Sequence, residues 1–210
     1  MQIAPPIPAT RRAFSLVETL TVIALIAVLA GLTLPAVNHI QSASALTTTS
    51  GQLMDLLNLA RQQSLTQNRP VEVRFYKLPD PSDASRLLWR GVQIFKIDNG
   101  TATPLDRPSY FPPQVKISEN TDYSNILDDS RSDITSGSGS DIGLSLPGVG
   151  TNYSYRAFRF RPNGTTTLAS PIFATLQPSN ARSEGNAPAA NWFTVQVDSL
   201  NGSIQTFRPE

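Results

Sequence analysis

The chain has 210 residues, which sets one domain of ordinary size, or one domain with an appendage. Lys and Arg total 17 against 16 Asp and Glu, a formal charge of +1, so the chain carries neither a strongly basic tail for nucleic acid nor an acidic solvating tail. Cysteine is absent and His39 is the single histidine, which excludes disulfide frameworks, thiolate metal sites, cysteine nucleophiles and multi-histidine metal centres.

Residues 14–37 read FSLVETLTVIALIAVLAGLTLPAV, with 17 of 24 positions apolar. After Glu18 the next formal charge is Asp55. A helix of this length reaches roughly 36 Å, enough to cross a hydrocarbon core of about 30 Å. Arg11 and Arg12 precede it with no matching cluster behind, so the positive-inside rule keeps the N-terminus cytoplasmic and sends the bulk of the chain outward. A secretory signal peptide is the rival reading, with an apolar region at 20–34 and Ala43-Ser44-Ala45 as its cleavage site. Two residues do not suit a plain anchor. Glu18 is an acid where the apolar run begins, and an acid in a bilayer requires a partner or an interfacial position. Pro35 removes a helical hydrogen bond late in the run and bends the helix.

Arg11-Arg12-Ala13-Phe14-Ser15-Leu16-Val17-Glu18, followed by the apolar helix, resembles the prepilin cleavage motif of type IV pilins and type II secretion pseudopilins. The resemblance implies that a prepilin peptidase cuts between Ala13 and Phe14 and N-methylates Phe14. It implies that Glu18 pairs with the terminal amine of a neighbouring subunit, and that Pro35 is the helix-bending proline. Ala13 stands where the family usually has glycine; alanine is also small. The implied partners are the peptidase, other pilin or pseudopilin subunits, an inner-membrane assembly platform and the lipid bilayer. The implied location is a bacterial inner membrane, single-pass, with a cytoplasmic leader at 1–13 and a periplasmic C-terminal domain.

From 38 to 68 the helix becomes amphipathic. Leu46, Leu53, Leu57 and Ala60 form one stripe with Leu56 beside it, while Gln52, Asp55, Asn58, Arg61 and Gln62 fall mainly elsewhere. It ends near Asn68-Arg69-Pro70, because the residue before proline leaves the α region. The expected fold class is α+β: a long N-terminal helix, transmembrane at 14–37 and amphipathic at 38–68, packed on an antiparallel β-sheet domain at 69–210. Strands are predicted at 71–75, at 87–97 with a bulge at Gly91, at 156–161 and at 192–197, from alternating or apolar runs. Asn99-Gly100, Asn163-Gly164 and Asn201-Gly202 predict type I′ hairpin turns. The last two also form N-x-S/T sequons, for which the turn reading is preferred over glycosylation.

Residues 118–150 are rich in Ser, Gly and Asp, which supply 18 of 33 positions, and predict a flexible excursion rather than a fold element. Residues 178–190 read as a second loop. The layout resembles the H-type minor pseudopilins, and within them the prepilin-like group called Verru_Chthon cassette protein D, through ARQQSLTQNRPVEVRF at 60–75 and the C-terminal hairpin.

Chemistry-bearing constellations are few. Asp128, Asp129, Asp133 and Asp141 are the candidate calcium ligands, but their spacing matches no EF-hand loop, and no metal or other cofactor is expected. No nucleophile elbow or acid–base group stands out, so an enzyme is not expected. The Arg/Phe alternation at 156–161 imitates a platform for single-stranded nucleic acid. With near-zero net charge and no longer basic stripe, nucleic acid is not an expected partner. The sequence therefore predicts a structural subunit, probed against the alternative of a tethered or secreted β-domain binding protein that never polymerises.

Overall fold

The computed structural model describes residues 15–181 and 190–209, with all their side chains except those of 32–40. The chain forms α1 (Leu16–Gln67), β1 (Val71–Asp80), β2 (Asp83–Asp98), β3 (Thr101–Pro104), β4 (Ser109–Tyr110), β5 (Val115–Ile117), β6 (Thr135–Ser138), α2 (Gly139–Ile142), β7 (Ser154–Phe160), β8 (Ile172–Pro178), β9 (Phe193–Val197) and β10 (Ile204–Phe207). Its contacts divide it into two units, one up to Gln41 and one from Ser42 onward.

The first unit holds the start of α1. Ser15 Oγ accepts a hydrogen bond from the Val17 amide at 3.2 Å, one of the donors that a helix start leaves unsatisfied. Every residue from 15 to 31 is exposed. Thr19 and Thr21 donate their hydroxyls back to the carbonyls of Ser15 and Val17, so their polar groups are satisfied inside the helix itself.

In the second unit α1 is one-sided. Leu46, Leu53, Leu57 and Ala60 are buried, as the spacing predicts, and Gln52, Asp55, Asn58 and Gln62 are exposed, whereas Arg61 is half-buried and donates from Nε to the Gly164 carbonyl at 3.2 Å. Thr49, Ser50 and Ser64 extend the buried stripe. Their hydroxyls donate to the carbonyls of Ala45, Thr47 and Arg61, which removes the cost of burying them. Each buried leucine contributes roughly 1.5–3 kcal/mol. The helix stops where expected: Asn68 takes a left-handed conformation (φ 49°) and Pro70 follows.

All strand pairs are antiparallel, but they form two sheets rather than one. The larger has the order β3-β2-β1-β7-β6 with β4 also on β2, and the smaller β10-β9-β8-β5. Val71, Val73, Phe75, Ile94, Phe158 and Phe160 of the first sheet join Ile117, Ile172, Leu176, Val195 and Val197 of the second in a single core with the α1 leucines. Alternation along β1 sends Glu72, Arg74, Tyr76 and Leu78 to the other face.

That other face is covered by the segment expected to be a flexible excursion without fold elements, and this expectation is corrected. Residues 118–150 contain a 3-10 turn (Asn125–Leu127), β6 and α2. Ile126, Leu127 and Ile134 enter the main core, and Leu146 packs with Tyr76, Phe95, Tyr153 and Tyr155 in a second one. The Ser-Gly-Ser-Gly-Ser run is β6 and the start of α2, and its glycines have a packing cause. A Cβ on Gly137 would lie 2.7 Å from the Tyr155 ring, and one on Gly139 2.3 Å from that of Tyr153. Composition mistook close approach of tyrosine rings for linker chemistry.

The turns also divide. Asn99 (φ 48°) and Gly100 (φ 84°) are both left-handed, as type I′ requires. At the other two Asn-Gly pairs only the glycine has positive φ. Pro162 holds a negative φ ahead of Asn163, and the Gly164 amide donates to the Arg161 carbonyl at 2.8 Å, a type I turn closed by a left-handed glycine. At the third, Asp198 Oδ1 accepts from the Leu200 and Asn201 amides, and Gly202 N reaches back to Asp198 O, giving a wider turn. The predicted bulge at Gly91 is present: Tyr76 faces Gly91 and Lys77 faces Trp89, leaving Arg90 as the extra residue.

Candidate functional site

Burial separates the first unit from ordinary globular structure. Leu16, Leu20, Ile23, Leu25, Ile26 and Leu29 are 54–78% exposed, and they fall on all sides of the helix. An apolar surface of this kind is not left in water and marks a region that meets another apolar phase. Glu18 is the one charged side chain in it. Among the described residues no hydrogen bond or ion pair engages its carboxylate, whereas the neighbouring threonines satisfy themselves.

Arg11, Arg12, Ala13 and Phe14 lie outside the described residues. Pro35 falls inside the bounds of α1, but its side chain lies outside the description, as does that of His39. No helix among the described residues is long and apolar enough to cross a membrane. The span expected at 14–37 runs past the described side chains at both ends. Ala43, Ser44 and Ala45, the rival cleavage site, are helical, and Ala45 packs against the core.

The four candidate calcium ligands are not brought together. Asp133 accepts from Arg131 Nε and Nη2 at 2.9 and 2.5 Å and from the Ala169 amide at 2.8 Å. The Arg131 bonds first, and that amide, hold its pKa at about 2. Asp128 accepts from the Ser130 amide, which lowers its pKa, and Asp129 pairs with Arg156. Asp141 closes a capping box with Ser138 at the start of α2. Each carboxylate is used within the fold, and among the described residues no three His, Asp or Glu side chains are grouped as a metal requires.

The aromatic–basic strand is likewise structural. Phe158 and Phe160 are in the core, so no base can stack on them, and Arg159 donates to Glu72 at 2.7 Å. Glu72 also takes Arg74 Nε at 2.6 Å, and the Arg74 guanidinium lies over the rings of Phe95 and Tyr155 at 4.1 and 4.7 Å. Glu72 and Arg74 are buried, while the Arg159 side chain is 42% exposed, and nothing in the sequence marks this triad, where VEVR is only an alternating strand. Trp89 is buried, and Trp192 sits half-buried with Phe173 and Phe207 on the outer face of the small sheet.

No family model matches the chain, and no curated protein matches it. Among solved structures, the type IV minor pilin FimU of Pseudomonas aeruginosa is similar in one crystal form at 16% identity and a TM-score of 0.41, over 79% of this chain and 92% of that one. A second crystal form of it gives 16% and 0.40, over 79% and 98%. The minor pseudopilin EpsH from the type 2 secretion system of Vibrio cholerae gives 8% and 0.41, over 78% and 97%.

Proposed function

We propose that the chain is a pilin-like structural subunit. A prepilin peptidase cuts it between Ala13 and Phe14 and methylates Phe14, and the helix from Phe14 then packs with those of other subunits in a pilus or a secretion pseudopilus. Before assembly the helix spans an inner membrane, with Arg11 and Arg12 cytoplasmic and the unit from Ser42 periplasmic. Pro35 bends the helix between its membrane part and its domain part.

The observation that carries this reading is Glu18 on a helix exposed over residues 15–31, with its carboxylate unengaged among the described residues. A membrane span alone accounts for the apolar surface but not for the acid, which costs a few kcal/mol in hydrocarbon. The new amine of Phe14 on a neighbouring subunit supplies the missing charge. At about 4 Å and an effective dielectric of about 20 the attraction is roughly 4 kcal/mol before desolvation.

Glu18→Ala is therefore expected to leave membrane insertion unchanged and to reduce recovery in assembled filaments by at least about tenfold, the effect of roughly 1.4 kcal/mol. Cell fractionation and filament shearing read the two separately. Normal incorporation of the variant would overturn the assigned role.

A further inference from the structure

The three Asn-Gly pairs all stand at turns, but the fold holds them differently. At Asn163-Gly164 the side chain is tied down: Asn163 Oδ1 accepts from the Thr165 hydroxyl and amide at 2.7 and 3.2 Å. The glycine is tied down as well. Its amide donates to the Arg161 carbonyl at 2.8 Å, and its carbonyl accepts from Arg61 Nε at 3.2 Å. At Asn201-Gly202, Asn201 Oδ1 accepts from the Ser203 amide at 2.6 Å, and the Gly202 amide donates to the Asp198 carbonyl at 3.1 Å. Both of these glycines are buried, and a Cβ on Gly202 would lie 2.3 Å from the Gly164 carbonyl oxygen. Asn99-Gly100 has none of this. Both residues are exposed, and beyond the adjacent residues nothing lies within 4 Å of a Cβ on Gly100. Among the described residues no hydrogen bond engages the Asn99 side chain or the Gly100 amide.

Those two groups are the ones that react when an asparagine cyclises: the amide nitrogen of the next residue is the nucleophile and the side-chain carbonyl carbon the electrophile. We infer that Asn99 is a site of spontaneous covalent modification in the folded chain, converting to aspartate and isoaspartate, and that the fold protects Asn163 and Asn201. Solvent hydroxide takes the Gly100 amide proton, and the nitrogen attacks Asn99 Cγ. The N–Cγ bond forms, the Cγ–Nδ2 bond breaks, and Nδ2 takes a proton from water and leaves as ammonia. Water then opens the five-membered imide at one of its two carbonyls. The balance is one water consumed, one ammonium released and one carboxylate gained, with nothing oxidised or reduced. Glycine leaves the attacking nitrogen unshielded by a Cβ. Bringing Gly100 N onto Cγ breaks no hydrogen bond of either reacting group, whereas each of the other pairs must first release at least two, which slows it by about tenfold or more. Opening at the main-chain carbonyl routes the backbone through Cγ and lengthens the two-residue loop that sets Asp98 opposite Thr101. Either product adds a carboxylate next to Asp98, which already pairs with Lys96 Nζ at 2.7 Å and Arg69 Nε at 3.4 Å. The modification therefore alters both charge and turn at the β2–β3 edge of the larger sheet, and the inference does not depend on the assembly reading.

The test incubates the full chain in detergent micelles at mildly alkaline pH in heavy-oxygen water, beside a sample unfolded in concentrated urea. Mass spectrometry of the peptides that carry each pair measures conversion, and the heavy oxygen marks carboxylates formed during the incubation. Chromatographic retention separates aspartate from isoaspartate. In the folded chain Asn99 is expected to convert at least about tenfold faster than Asn163 or Asn201, with isoaspartate among its products. In urea the three rates should converge, because the dipeptide is the same and only the fold distinguishes the sites. Conversion at Asn99 no faster than at the other two in the folded chain would overturn the inference. So would the same ranking in urea, which would put the cause in the flanking sequence. No conversion of folded Asn99 over a period in which the urea sample converts all three would overturn it as well.

Discussion

In residues 15–31 the leucines, isoleucines and valines point outward on every side, while in the unit from Ser42 they enter cores built from a helix and two sheets. Both stretches of α1 are helical, so local propensity does not separate them. What separates them is the pattern of polar residues. The later stretch places Gln52, Asp55, Asn58 and Gln62 opposite its leucines, and that asymmetry lets the rest of the chain cover one side. The earlier stretch offers no polar side for the rest of the chain to leave uncovered, and on the proposed reading a bilayer or other apolar helices cover it. The unit from Ser42 should thus gain stability from its own interior, and residues 15–31 should gain theirs only from association.

The sharpest test of the first half of that contrast is Glu72. It is 2% exposed and holds both Arg74 and Arg159. Glu72→Ala leaves two arginines without their carboxylate and should destabilise the unit by about 3–5 kcal/mol in urea unfolding followed by tryptophan fluorescence. An unchanged midpoint would mean that the interior does not rest on this triad.

The contrast itself is tested by two leucines. Leu53→Ala should cost about 2–5 kcal/mol, because Leu53 is 1% exposed in the core. Leu25→Ala, 65% exposed, should change unfolding of the unit by less than about 0.5 kcal/mol. Equal costs would erase the distinction.

The Asp133–Arg131 pair gives a pH signature. Its folded pKa of about 2 lies below the unfolded value of about 3.9, so the carboxylate stabilises the fold above the unfolded pKa. That contribution, on the order of 2 kcal/mol, is lost as pH falls from about 4 through about 2. Asp133→Asn should lack this part of the acid slope; a slope identical to that of the parent chain would refute it.

Gly137→Ala should cost about 1–2 kcal/mol through the approach to Tyr155. A neutral effect, read in the same urea assay, would return 118–150 to the linker role that its composition suggests.

Much of this was legible beforehand. The Leu46–Leu53–Leu57–Ala60 stripe, the helix end at Asn68 and the bulge at Gly91 follow from spacing, proline sterics and glycine placement. Alternation marked the strands, but it does not say which strands pair, so two sheets read as one. The Asn-Gly pairs overstated type I′ turns, because Pro162 and the Asp198 carboxylate decide the backbone locally. Residues 118–150 misled most: the tyrosines that demand Gly137 and Gly139, Tyr155 on β7 and Tyr153 just before it, lie beyond any local window. Glu72 was invisible for a related reason: its meaning depends on which charges the strands bring beside it.

The central claim is that processing at Phe14 frees an amine for Glu18. It is tested most directly by mass spectrometry of the N-terminal peptide, on protein recovered from membranes of a cell that carries a prepilin peptidase. The account predicts a chain beginning at N-methylated Phe14. A chain retaining Met1, or one beginning at Leu46, would contradict it.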